Sequence, residues 1–529
     1  MTTQAKGIDD YLATQATPDL SLGLLEKNAK ALIESLRATA LDLGLVCSEF
    51  RSVLLPKPLC TQLAKKLAAQ LGASPEELEH KLDQQTARKQ EQQAHDIANS
   101  IDAYYDQPAK EYVLRAHNNS YQSLNEAQFK RELRIHHALS AECIPLRHYS
   151  QLDLVLNELQ KTKTVDYVGP LAGRDCGYYH ENGIAFLVTK SPVIIEPKPG
   201  KWKTLETFFS NLYWPKDEPY GDQQKNSLYG WLATAYEALR KRKFREGQAI
   251  GLAGPTNAGK CLSQALFTQI LGGRSAKASM WLQGRTDFNS DLFAAEHLML
   301  EDEVAETNHR ARMALAQSLR NVVSNRLHPC HPKYRIIVTL PSWWRVSISL
   351  NDEGERLMIL PPLDDDMKEK IILLKASLAA MPMPVATAAQ KEKLWQTLVS
   401  ELPAFLYWLT REFTLPDSWQ DPRFGVKAWQ HPMLLRQLEE LSPSHSLLAL
   451  IDQLEPWTVL DPWAGPALEL RRLLLNTYET QHDARELLSW RNACGTYLHQ
   501  LSRKHPDRVR LDRTQTQDIY TIFKPIPSP

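Results

Sequence analysis

Ala249-Ile-Gly-Leu-Ala253 runs directly into Gly254-Pro255-Thr256-Asn257-Ala258-Gly259-Lys260, and Cys261 to Leu271 continues with apolar residues at helical spacing. A short apolar run ahead of a glycine loop predicts a buried strand, and the spacing after Lys260 predicts a helix. Strand, glycine-bounded loop, lysine, helix is the G-x-x-x-x-G-K pattern in the context its chemistry needs. Glycines let backbone N–H groups turn inward around phosphate oxygens. The helix N-terminus adds positive dipole, and Lys260 reaches the β and γ phosphates. All eight positions from Gly254 to Cys261 are therefore candidate nucleotide contacts.

One position departs from the pattern. A Ser or Thr hydroxyl normally follows the lysine and ligates Mg²⁺, but here the residue is Cys261. Mg²⁺ is a hard ion that prefers oxygen, so a thiol is a poor substitute. Ser263 lies two residues further, about 200° around the helix, and is not equivalent.

Two downstream segments complete the candidate site. His297-Leu-Met-Leu300 reads as a short apolar strand ending in Glu301-Asp302-Glu303. A carboxylate at such a strand end holds the Mg²⁺ shell and a neighbour positions or activates water. Asp302 is favoured near the metal, with Glu301 or Glu303 as the water-orienting base. Trp344 to Leu350 reads as another strand, and Asn351 at its tip suits a sensor of the γ-phosphate or of the attacking water.

Working outward, 529 residues predict several domains. Apolar residues make up 43% and charged residues 23%, as in ordinary soluble folded proteins. Lys+Arg and Asp+Glu are 62 each, so any basic surface must be local, with acidic surface elsewhere. The apolar runs are too short for a membrane span, and seven scattered cysteines without a C-x-x-C pair read as reduced thiols. The expectation is a cytoplasmic protein without membrane partners.

Four parts are expected: a helical region 1–100, an α+β accessory domain 101–215, an ATPase core 216–375, and a helical to winged-helix region 376–529. In the second, Gly183–Thr189 and Val193–Glu196 read as paired strands. The basic run Arg240-Lys241-Arg242-Lys243, with Arg245, reads as a solvated helix end and as a weaker phosphate contact. Near the C-terminus, a helix from Ala484 to Leu501 precedes two short strands, Arg508–Leu511 and Ile519–Ile522. These look like a helix with wings, compatible with DNA contact.

Gly254…Lys260, Glu301-Asp302-Glu303 and Ser349-Leu350-Asn351 fall within about 100 residues. That compact order resembles superfamily 3 helicases, and more closely the helicase half of primase-helicase proteins of prophages and genomic islands. Poxvirus-type primase-helicases are more distant. The similar text runs from roughly Trp202 to Lys375 and includes Phe288-Asn289 and Asp291-Leu292-Phe293. The resemblance implies an α/β P-loop NTPase core of AAA+-like type that uses ATP and Mg²⁺ and assembles with itself as a ring, a hexamer. It further implies translocation on single-stranded or forked DNA during replication of a phage, plasmid or genomic island; the sequence carries no primase acid constellation, so priming is expected to be absent or supplied by a separate primase. A hairpin with a basic tip is implied between the acids and Asn351, and Arg326, His331, Lys333 and Arg335 are its candidate DNA contacts. His328, Cys330 and His331 offer too few ligands at finger spacing for zinc. The arginine that a ring member lends to its neighbour is expected at Arg356, with Arg310, Arg312 and Arg345 competing. The alternative readings are a nucleotide-gated oligomeric scaffold with weak hydrolysis, or a DNA-binding subunit of a primase complex.

Overall fold

The structure, a computed structural model, describes residues 65, 74–116, 119–301, 309–333, 336–378, 380–454, 462–514 and 517–524. Helices expected before residue 74, and the candidates Asp302, Glu303 and Arg335, lie outside these residues.

The chain divides into two compact units, residues 1–168 with 180–187, and residues 169–179 with 188–529. In the first, helix Pro75–Ser100 starts as its sequence demands. Ser74 accepts a hydrogen bond from the Glu77 N–H, proline occupies the first turn, and Glu76 and Glu77 face the positive end of the dipole. Helices Pro75–Ser100, Glu126–His137 and Gln151–Thr162 accompany a sheet ordered Tyr121–Leu124, Glu111–Arg115, Ala103–Asp106, Thr164–Val165. Phe129 and Leu133 are fully buried in its core, and Phe129 stacks on Tyr112 with ring centres 4.6 Å apart. Burial of each such side chain contributes about 1.5–3 kcal/mol.

The second unit is built on a parallel five-stranded sheet. Its order is Ile371–Lys375, Ala249–Ala253, Arg345–Leu350, His297–Glu301, Ser275–Lys277. Ala249–Ala253 and Arg345–Leu350 are buried along their whole length, as inner strands of a parallel sheet require. Helices Lys203–Tyr213, Gly221–Arg240, Lys260–Ile270 and Ala388–Arg411 share one apolar core with this sheet. That core draws on residues on both sides of positions 215 and 375. Val193–Glu196 is not a strand. It runs as an extended segment whose Val193 N–H donates to the Gly272 carbonyl, so its backbone is satisfied outside any sheet.

Towards the C-terminus, helices Pro443–Asp452, Ala467–Asn476, Gln481–Leu487 and Ala493–Lys504 pack with a three-stranded antiparallel sheet. Its order is Trp463–Gly465, Asp518–Ile522, Val509–Arg513. The helix expected over 484–501 is two helices. Leu488 is buried with Ala484, whereas the next buried residues are Ala493 and Cys494. In one continuous helix these would stand about 140–240° away from Leu488, so the break brings the apolar stripe back into phase. Among the described residues, no helix is long and apolar enough to cross a membrane.

Candidate active site

The loop after Ala253 needs glycine at Gly254, because a Cβ there would overlap the Ala376 carbonyl oxygen at the end of the adjacent edge strand. Asn257 and Gly259 adopt left-handed backbone, φ +62° and +114°. Asparagine and glycine tolerate that region best. The turn delivers Lys260 as the first residue of helix Lys260–Ile270. The lysine is 6% exposed, and its Nζ donates to the carbonyls of Gly254 (2.6 Å) and Pro255 (2.7 Å) and to Asn351 Oδ1 (3.1 Å).

A cleft of about 380 Å³ is lined by residues 256–262 together with Ser349, Asn351 and Arg356. Candidates from three sequence segments thus meet in one place. Parallel pairing explains the arrangement. Leu350 lies beside Ala253, so the strand that ends at Asn351 delivers its tip next to the loop. On the other side Ser349 pairs with Glu301, which places the acidic strand end one strand further from the loop. The Glu301 carboxylate accepts from Lys277 Nζ at 2.8 Å. Asp302 and Glu303 are outside the described residues, and Glu301 does not line the cleft.

Cys261 is exposed and lines the cleft, but it offers sulfur where a hard ion prefers oxygen. Ser263 faces away. It is fully buried and accepts a hydrogen bond from the Tyr213 hydroxyl at 2.9 Å. The described residues therefore fit a triphosphate but not, by themselves, its metal ion.

The competing arginines separate clearly. Arg345 is buried, its guanidinium donating to the carbonyls of Trp344 and Arg245 and lying 4.5 Å from the Trp343 ring centre; burial lowers its pKa to about 9. Arg312 is also buried and donates to the Leu360 carbonyl. Arg356 lines its own chain's cleft, and Arg310 is exposed. The basic run after helix Gly221–Arg240 is largely engaged in ion pairs, Arg240 and Lys241 with Glu237 and Arg242 with Asp175.

Between the acidic strand and Asn351, Leu327–Cys330 pairs antiparallel with Val338–Pro341. His331 and Lys333 lie in the segment joining these strands; Arg326 lies at the base, its guanidinium 5.8 Å from the Phe244 ring centre. His328 and Cys330 alternate inward and are buried, and burial pushes the Cys330 thiol up to about 12. Two residues not assigned roles from sequence hold the tip. Asn289 Oδ1 accepts from the His331 N–H at 2.7 Å, and its Nδ2 donates to the Pro329 carbonyl at 2.9 Å. Phe288 is 44% exposed; its ring centre lies 5.2 Å from the His331 ring and 6.0 Å from Lys333 Nζ. In the sequence Phe288-Asn289 is only part of a resemblance, and the fold shows that it meets the end of strand Leu327–Cys330 and the residues that follow it.

A third residue is silent in the sequence because it sits within an apolar run. His297 is fully buried, with Nδ1 2.8 Å from Thr268 Oγ1 and Nε2 2.8 Å from Ser347 Oγ. It ties the helix after the loop to the acidic and Asn351 strands. Burial lowers its pKa to about 3, so the ring is neutral.

No protein-family profile and no curated protein matches this chain. Among solved structures, it is similar to the apo structure of the NrS-1 C terminal region (305-718), at 12% identity and TM-score 0.47 over 81% of this chain and 97% of that one. It also aligns with JCV helicase bound to a small organic compound, at 16% identity and TM-score 0.22 over 45% of this chain and 68% of that one.

Proposed function

We propose that this chain is an ATP-driven motor that assembles as a ring, a hexamer, moves on single-stranded or forked DNA, and separates strands in replication of a mobile element. The observation that carries the reading is the cleft where the loop, Asn351 and Arg356 converge. The N–H groups that follow Pro255 in the loop would hold the phosphates, and Lys260 would exchange its carbonyl partners for β and γ oxygens. Asn351, already touching Lys260, would orient the attacking water, and an acid of the 301–303 group would accept its proton. Asp302 is the residue proposed to hold Mg²⁺, which neutralises charge between the phosphates when bound.

Arg356 would act on the γ-phosphate from its own chain. The arginine lent to a neighbour is then assigned to Arg310, because Arg312 and Arg345 are buried on backbone carbonyls and Arg310 is exposed. Lys333 and His331, with Arg335, would grip phosphates at the hairpin, and Phe288 would stack a base.

Cys261 favours a second reading, a nucleotide-gated scaffold with slow hydrolysis. ATP turnover with and without single-stranded DNA, combined with mass measurement in the presence of nucleotide, decides between them. The motor reading requires stimulated turnover by a ring. Assembly with ATP and no stimulated turnover supports the scaffold, and failure to bind ATP in calorimetry overturns both.

A further inference from the structure

Ser342 and Trp343 lie at the base of the hairpin. The Ser342 N–H donates to the Arg326 carbonyl at 2.9 Å, which joins the residues just before and just after the two hairpin strands. Both side chains are buried, at 4% and 5% exposure. Yet among the described residues neither the Ser342 hydroxyl nor the Trp343 indole Nε1 has a hydrogen-bond partner. Folded interiors leave few buried polar groups unmet, because each costs its full desolvation. An indole N–H is a donor only, so what it needs is an acceptor.

Both residues line a cavity of about 30 Å³, where the hairpin base meets the end of helix Gly221–Arg240 and the turn at Gly173. Gly173 has φ +75°, and a Cβ there would lie 2.6 Å from Trp343 Cβ, so glycine is what lets the turn approach the indole. Arg174, Arg242 and Arg326 line the same cavity, and no carboxylate does. Asp175 offsets one of these charges by accepting from Arg242. Arg174 and Arg326 are held over the Tyr179 and Phe244 rings, at 5.3 and 5.8 Å from the ring centres. The Arg345 guanidinium, 4.5 Å from the Trp343 ring centre, adds a fourth positive charge that is buried against carbonyls and not against a carboxylate.

We infer that this cavity binds one small monovalent anion of the halide class, chloride for example, which clasps the hairpin base to the end of helix Gly221–Arg240. Two features select the ligand. The lining offers an indole N–H, a hydroxyl and guanidinium N–H groups beside an excess of positive charge. That set suits a particle that only accepts, whereas a water molecule must also place two hydrogens of its own. Size is the second feature. One water-sized body needs about 10–15 Å³ on this measure, so the cavity admits a monatomic ion and not a tetrahedral oxyanion with four oxygens. A nucleic-acid phosphate is excluded on the same ground.

The inference does not rest on the motor reading, because it needs neither nucleotide nor DNA. Its test is the melting temperature of the full-length chain as chloride replaces glutamate at constant ionic strength and neutral pH. An ion that binds only the folded state stabilises it by mass action, so the parent should rise along a saturating curve by about 2 °C or more. Trp343→Phe keeps a ring beside Arg345 and deletes the donor. It should melt at or above the parent in glutamate, where the parent's indole N–H is unmet, and should lose the saturating rise. An indole with a merely structural role would instead lower the melting temperature equally in both salts. Ser342→Ala should raise the chloride concentration at half-effect about two- to tenfold, the usual weight of one hydrogen bond, and it decides the matter if the Trp343 variant does not fold. In bromide-soaked crystals one anomalous peak should stand within hydrogen-bond reach of Trp343 Nε1 and Ser342 Oγ. The same chloride response in the parent and both variants overturns the site. So does a crystal without that peak, which would assign the cavity to water, and a peak without chloride-dependent melting, which would mark an adventitious ion only.

Discussion

Lys260 Nζ lies 3.1 Å from Asn351 Oδ1, joining residues 91 positions apart at the floor of one cleft. The contact exists because Leu350 pairs with Ala253 in the parallel sheet. If Asn351 orients the attacking water, Asn351→Ala should lower ATP turnover about 10²–10³-fold, as removal of a positioned donor commonly does, with ATP affinity little changed. Lys260→Ala should abolish turnover. Calorimetry beside steady-state kinetics separates the two effects, and a variant at 351 that loses affinity but not turnover would contradict the assignment.

Cys261→Ser should keep ATP binding and raise hydrolysis, because it restores a hard oxygen ligand beside the phosphates. Turnover at or below that of the parent chain would show that the thiol is not what limits the reaction.

Arg310→Ala and Lys260→Ala should each be inactive alone, yet recover part of the activity when mixed. A mixed ring places an intact loop beside an intact Arg310. Absence of recovery, with mixed assembly confirmed by native mass measurement, would remove Arg310 from the trans role.

At the hairpin, Lys333→Ala should spare basal turnover and remove stimulation by single-stranded DNA. Phe288→Ala should weaken single-strand binding by about 1–3 kcal/mol, the usual cost of losing one stacking platform. Equal stimulation of the Lys333 variant and the parent would dismiss the hairpin as the DNA grip.

Acid should destabilise the protein from near neutrality. Burial lowers the pKa of His297 to about 3 and also lowers those of His328 and His431. A histidine held neutral contributes stability that is complete above its unfolded pKa of about 6.5. For His297 that contribution falls by about 1.4 kcal/mol per pH unit between 6.5 and about 3, where the unfolded chain binds the extra proton. His297→Gln should therefore flatten the decline in melting temperature between pH 6.5 and 4.5. Parallel profiles for variant and parent would refute this.

Much of the candidate cleft is legible in the order of residues. Strand Ala249–Ala253, the loop and helix Lys260–Ile270 form one continuous local unit, and a glycine loop that must bare its amides leaves a written signature. The strand ending at Asn351 is legible too, as strand patterning acts over a few residues, whereas the basic hairpin is expected only through the family resemblance. His297 is not, because a buried polar residue inside an apolar run looks the same whether it joins a network or a strand face. The broken helix near Leu488 is hidden for a related reason: a shift in apolar phase shows only once the core that receives it exists.

Local chemistry alone determined that the chain contains a glycine-bounded bend, a lysine at the start of the helix after it, and a thiol where that pattern usually has a hydroxyl. Those properties depend on backbone freedom and donor atoms within a dozen residues. Tertiary structure decided the order of the strands, the placement of Arg356 in its own cleft, the burial of Arg312 and Arg345, and the gathering of Arg174, Arg242 and Arg326 around one small cavity. An arginine reads the same in sequence whether it ends against a carbonyl or in water. Only the packing of distant apolar faces determines which.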